Sequence, residues 1–220
     1  MADALKTLLR RKKYIERSLN TSLKEKRVYQ AVVIGVSAGG FAALSFLLPS
    51  LPEDFSLPVI IVQHLHPASG SYIVQHLNNK CSLIVKQADE KESIKPGTVY
   101  LASPNYHLLV EEDRTFSLTV DNRVNYARPS IDVLFETAAR AYGEKLIGII
   151  LTGSNNDGSK GLKRIKEGGG LAVVQDPLDA EVDSMPRAAL AATAVDFILS
   201  LEQIASFLMS LSKGKSYENK

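Results

Sequence analysis

Three residues of this chain are of the types that together attack an acyl carbon: Ser37 in VVIGVSAGG (32–40), His64 in LPVIIVQHLHP (57–67) and Asp157 in GIILTGSNNDGSKGLKRI (148–165). GVSAG fits G-x-S-x-G, where flanking glycines let the chain turn sharply and stand the serine hydroxyl out at the end of a strand. A helix opening at Gly39 would aim unpaired N–H groups at the same place. Two nucleotide readings of the turn fail. Gly35, Gly39 and Gly40 do not give G-x-G-x-x-G, and the next strand ends in Gln63-His64 where a dinucleotide site wants an acidic residue. A phosphate loop needs Lys beside Ser or Thr after its last glycine, and here Phe41-Ala42 follow. On the turn alone, a serine that merely turns the chain or caps a helix stays open.

A serine hydroxyl is a poor nucleophile until a base takes its proton. His64 closes the next apolar run, and His66, two residues on, is its rival for that role. As a pair they could also suggest a metal site, but no Cys or Glu supplies a third ligand, so neither a metal nor another cofactor is expected. The base needs an acid to fix its tautomer and stabilise the imidazolium, and Asp157 follows a further apolar run. Asn-Asp-Gly is also ordinary turn chemistry, and Asp caps helices. The chain order Ser, His, Asp differs from the Ser, acid, His of α/β-hydrolases.

The elements that must position these groups are short. AVVIGV (31–36), LPVIIVQ (57–63), KLIGIILT (145–152), LAVVQ (171–175) and VDFILS (195–200) are mostly β-branched and read as buried strands. FAALSFLLPSL (41–51), RPSIDVLFETAARAYG (128–143) and SKGLKRIKEGG (159–169) read as helices, with Ser130 as a cap and Gly168 as a stop. Alternation of strands and helices predicts an α/β fold, doubly wound, with a mainly parallel sheet and helices on both faces. Residues 93–120 read as short antiparallel strands with turns at Pro96-Gly97 and Glu112-Asp113, a hairpin insertion in the same domain. Ser37, His64 and Asp157 all fall at carboxyl ends of predicted strands, on the rim where such sheets bind ligands.

The chain has 220 residues, 45% of them apolar and 23% charged, enough for a sizeable core. A net charge of +2 does not point to a nucleic-acid partner. One cysteine, Cys81, allows no intrachain disulfide and fits a reducing compartment. No apolar run reaches the ~18 residues of a membrane span, and the N-terminus lacks a signal peptide's apolar core, so no membrane insertion and a cytoplasmic location are expected. Residues 1–28 carry most of the excess positive charge, with Leu5, Leu8, Leu9, Ile15 and Leu19 at roughly helical spacing. This basic amphipathic arm either packs as a solvated helix or docks an acidic partner or membrane surface. Residues 29–212 form the catalytic unit, and 213–220 read as a flexible tail.

Over about residues 30–211 the chain resembles the catalytic domain of the CheB-type protein-glutamate methylesterases of bacterial chemotaxis. VVIGVSAGG, VIIVQHLHP, YARPSIDVLFETAA, LTGSNNDGSKGLKRIKEGGGLAVVQDP and SMPRAAL carry the resemblance in order. It implies hydrolysis of γ-glutamyl methyl esters on chemoreceptor cytoplasmic helices with release of methanol, and in many members glutamine deamidation. Ser37 is then the nucleophile, His64 the base and Asp157 the orienting acid. The resemblance puts Ser154 in the oxyanion region, where the backbone N–H groups near Ala38 and Ser154 would stabilise the charge. Many members have Thr where Ala38 stands, and Ser154 replaces a common Met. Arg128 either reaches the acidic substrate or pairs with Asp132 or another carboxylate. Only about 30 residues precede the first strand, too few for the receiver domain some members carry, so a regulator acting in trans is expected. The alternatives are an esterase or deamidase for a different protein, or a non-catalytic scaffold. That all three catalytic positions are filled favours an enzyme.

Overall fold

The runs predicted as strands are apolar on both alternating sets of residues, which is what a parallel sheet covered by helices on both faces requires. A computed structural model of the chain describes residues 28–64 and 70–212. Nearly all of the basic arm, His66 and the 213–220 tail lie outside those residues. The strands are β1 (Ala31–Val36), β2 (Val59–Gln63), β3 (Ile84–Gln87), β4 (Thr98–Leu101), β5 (His107–Val110), β6 (Phe116–Thr119), β7 (Leu146–Ile150), β8 (Leu171–Gln175) and β9 (Phe197–Leu199). The α-helices are α1 (Gly40–Leu47), α2 (Gly70–Asn78), α3 (Ile131–Tyr142), α4 (Ser159–Glu167), α5 (Ser184–Ala192) and α6 (Leu201–Ser212).

Seven strands form one sheet in the order β3-β4-β2-β1-β7-β8-β9. Every pairing in it is parallel. Period-2 alternation sends Val32, Ile34 and Val36 to one face, against α1, α2 and α6, and Ala31 and Val33 to the other, against α3, α4 and α5. The chain leaves β1 towards β2 on one side, while β7 adds on the other. β1 is therefore the switch point of the sheet, where a doubly wound fold opens its crevice.

Residues 93–120 differ from the sequence reading. The Glu112-Asp113 turn joins β5 and β6 as an antiparallel pair in a separate two-stranded sheet. β4, which follows Pro96-Gly97, instead enters the main sheet parallel to β2 and β3. Its four residues TVYL are buried, so the register is set by the core rather than by the turn before it. The predicted helix 41–51 ends as α1 at Leu47, and Leu48–Ser50 continue as a 3₁₀ turn containing Pro49, whose missing N–H ends the regular ladder. α4 stops at Glu167 with Gly168 as its C-cap and Gly169 at φ +81°.

Candidate active site

Ser37 and His64 come together because β1 and β2 are register partners, with Val36 opposite Gln63. Each residue is the next along its strand, and the His64 N–H still bonds the Val36 carbonyl at 3.1 Å. On the other side of β1 the Ser37 N–H bonds the Thr152 carbonyl, just past β7, at 3.0 Å. The Thr152 hydroxyl donates to the Ala38 carbonyl at 2.9 Å and accepts the Val182 N–H at 2.9 Å. The serine turn is thus tied to two neighbouring strand ends. Gly39 sits at φ +77°, a left-handed conformation that costs glycine nothing. Ser37, Ala38, Gly39, His64 and Glu181 line one cleft of about 500 Å³.

Asp157 follows β7 and is only 1% exposed. Oδ2 faces His64 Nε2 at 2.9 Å and accepts the Ile131 N–H at 2.7 Å. Oδ1 accepts from the Ser130 hydroxyl at 2.8 Å, the Asn125 amide at 3.0 Å and the Asp132 N–H at 3.2 Å. Burial pushes this carboxyl up, but the bonds from His64, Asn125, Ile131 and Ser130 outweigh it and hold it below the ordinary range. The first turn of α3 therefore serves Asp157. Ser130 occupies the N-cap position as expected, yet its side chain makes no cap bond to its own helix and donates to Asp157 instead.

Behind Asp157 lies a second buried carboxyl, Asp132, which accepts the Gly161 N–H at 2.7 Å and the Asn125 amide at 2.8 Å. Burial raises it, with the Asp157 charge adding to the rise against the Gly161 bond. Asn125 thus bridges two carboxylates. The β5–β6 hairpin supports this corner: His107 Nδ1 accepts the Ser130 N–H at 3.1 Å, and Thr137 of α3 accepts the Val110 N–H at 3.1 Å.

The lesser candidates fall differently. Ala38 lines the cleft, whereas Ser154 is exposed and is not among the residues that line it; neither N–H is hydrogen-bonded to another described residue. Arg128 meets no carboxylate among the described residues. Its Nη1 donates to the Val120 and Asp121 carbonyls at 2.6 and 3.0 Å, tying the hairpin exit to the start of α3, while Asp132 takes other donors. Asn125, Ser130, Asp132, Asn155 and His107 were not singled out by sequence for these contacts. Ser130 and Asp132 lie in the RPSID motif, which was the one available signal.

A model of the CheB methylesterase family matches residues 32–208. A Leptospira interrogans protein, provisionally named protein-glutamate methylesterase/protein-glutamine glutaminase, is 57% identical over 185 residues, covering 84% of this chain and 96% of its own. The protein-glutamate methylesterase/protein-glutamine glutaminase 3 of Pseudomonas syringae pv. tomato is 38% identical over 89% of this chain and 59% of its own. The crystal structure of the Thermotoga maritima CheB methylesterase catalytic domain superposes with a TM-score of 0.80 at 33% identity, over 83% of this chain and 98% of that one. By sequence and by fold, this chain belongs to the CheB methylesterase family.

Proposed function

We propose that the chain is a cytoplasmic serine hydrolase that removes methyl groups from glutamate γ-methyl esters on chemoreceptor cytoplasmic domains. The observation that carries the reading is the His64–Asp157 pair, 2.9 Å apart, on the rim where Ser37 lines the cleft. Asp157 holds the Nε2 side of the ring, so Nδ1 is the nitrogen that takes the Ser37 proton. The Ser37 oxygen attacks the ester carbonyl, and the charge on its oxygen falls to N–H groups at Ala38 and Ser154. Each such donor is worth roughly 10²–10³ in rate. His64 then returns the proton to the departing methoxide. Methanol leaves an acyl-enzyme on Ser37, and a water activated by His64 hydrolyses it to glutamate.

The double name of the relatives favours a second activity at the same site, in which the leaving group is ammonia and the substrate a glutamine carboxamide. Methylated receptor cytoplasmic fragments test the first reading directly. Wild type is expected to release methanol and Ser37→Ala to release none. A folded wild type that releases none from such fragments would move the assignment to a different protein substrate.

A further inference from the structure

The reaction above makes no use of Asn155, yet its side chain touches both His64 and Asp157. Asn155 Oδ1 accepts the Asp157 N–H at 3.0 Å, and its other end, Nδ2, lies 3.2 Å from His64 Nδ1. The backbone N–H fixes which end is which: a donor needs an acceptor, so the atom facing Asp157 is the oxygen. The atom facing His64 is then an NH₂, which can only donate. Nδ1 must present its lone pair. A neutral imidazole carries one proton, which places it on Nε2, where Asp157 Oδ2 accepts it at 2.9 Å. The two contacts leave the ring one tautomer and one orientation.

We propose that Asn155 is a positioning residue for the base, keeping the proton off His64 Nδ1 by donating to the lone pair that takes the Ser37 proton during reaction. The inference rests on the reading of Ser37, His64 and Asp157 as a catalytic set. A neutral contact at 3.2 Å is at the long end for N–H donors, weak enough to yield to the Ser37 hydroxyl. Among the described residues, the ionisable groups around the ring are Asp157 on the turn before α4 and Glu181 across the cleft, with Asp132 behind Asp157.

The test is nitrogen NMR of the full chain labelled with ¹⁵N-histidine, with the His64 signals assigned by their loss in His64→Gln. On the alkaline side of the ring's titration, wild type is expected to show a protonated Nε2 and a bare Nδ1. Asn155→Asp keeps an oxygen for the Asp157 N–H but turns an acceptor toward the ring. In that variant a proton is expected on Nδ1, with kcat down on the order of 10²-fold, the scale of a lost general base, and KM nearly unchanged. A proton on Nδ1 in wild type overturns the proposal. So does an Asn155→Asp ring identical to wild type, because a role confined to shaping the turn survives that substitution. The ring signals do not depend on turnover, so expected signals without methanol release support the role of Asn155 and count against the esterase reading alone.

Discussion

Asp157 accepts five hydrogen bonds while itself almost wholly buried, and this changes what its substitution should do. In the proposed mechanism, His64 without the Asp157 charge is no longer held in the working tautomer, and the loss by analogy with serine proteases is on the order of 10⁴ in kcat. The structure adds a stability cost, because an Asn amide turns an NH₂ toward groups that donate. A buried donor left without an acceptor costs about 1–3 kcal/mol, so Asp157→Asn should unfold at lower urea than wild type at neutral pH. The pH dependence comes from the direction of the shift. The folded carboxyl lies below its unfolded value of about 3.9, so its stabilisation is present above that pH and is lost as pH falls through the folded value. The gap between variant and wild type should therefore narrow below about pH 4. Asp132 works oppositely: its raised carboxyl contributes stability present below about pH 3.9 and lost as pH rises through the folded value. Urea midpoints across the acid range, with Asp157→Asn beside wild type, separate the two. A gap independent of pH would remove the charge of Asp157 from the account.

At the scale of elements, the site depends on how closely three strand ends approach. A Cβ at Gly153 would overlap the Met185 thioether of α5 and come within 2.9 Å of Ser37 Cβ. Gly153 is further held by its N–H to the Val182 carbonyl and by the Met185 N–H to its own carbonyl, both at 2.9 Å. Gly153→Ala should cost about 1–3 kcal/mol by overpacking. It should also lower kcat/KM about 10²-fold, because a displacement near 1 Å at the proposed nucleophile suffices for that. Methanol release and a thermal melt check both, and a fully active variant would show that the serine turn yields more easily than this packing implies. The placement of the three strand ends was legible because buried parallel strands are short apolar runs, and the turns that leave their carboxyl ends share one rim. The support of Asp157 was not legible. Ser130 reads as a helix cap in any local window, and only an acid 27 positions along the chain diverts its hydroxyl. Asn125 and Asn155 sit in turns where Asn is ordinary, so nothing local marks the carboxylates and the ring they touch. β4 misled for a related reason: four buried residues after a Pro-Gly turn fit a hairpin locally, and their true neighbours are chosen by the core.

Across the whole molecule the charge is divided in a way that bears on an acidic substrate. Residues 29–212 contain fourteen Lys or Arg against twenty Asp or Glu, whereas residues 1–28 contain nine against three. Among the described residues, the two apolar clusters that flank the sheet run from Tyr29 to Leu211. A net acidic body would repel an acidic helix, while a basic stretch on the same chain would attract it at long range. If the arm acts by charge alone, removal of residues 1–27 leaves kcat near wild type. The KM for an acidic receptor fragment should rise several-fold at low ionic strength. The difference should vanish at about 1 M salt, where screening acts within about 3 Å. Steady-state methanol release at the two salt concentrations reads the effect directly. Equal KM values at low salt would leave the arm a solvated helix with no part in substrate capture. A KM difference that persists at high salt would assign its contribution to the leucine-bearing face rather than to charge.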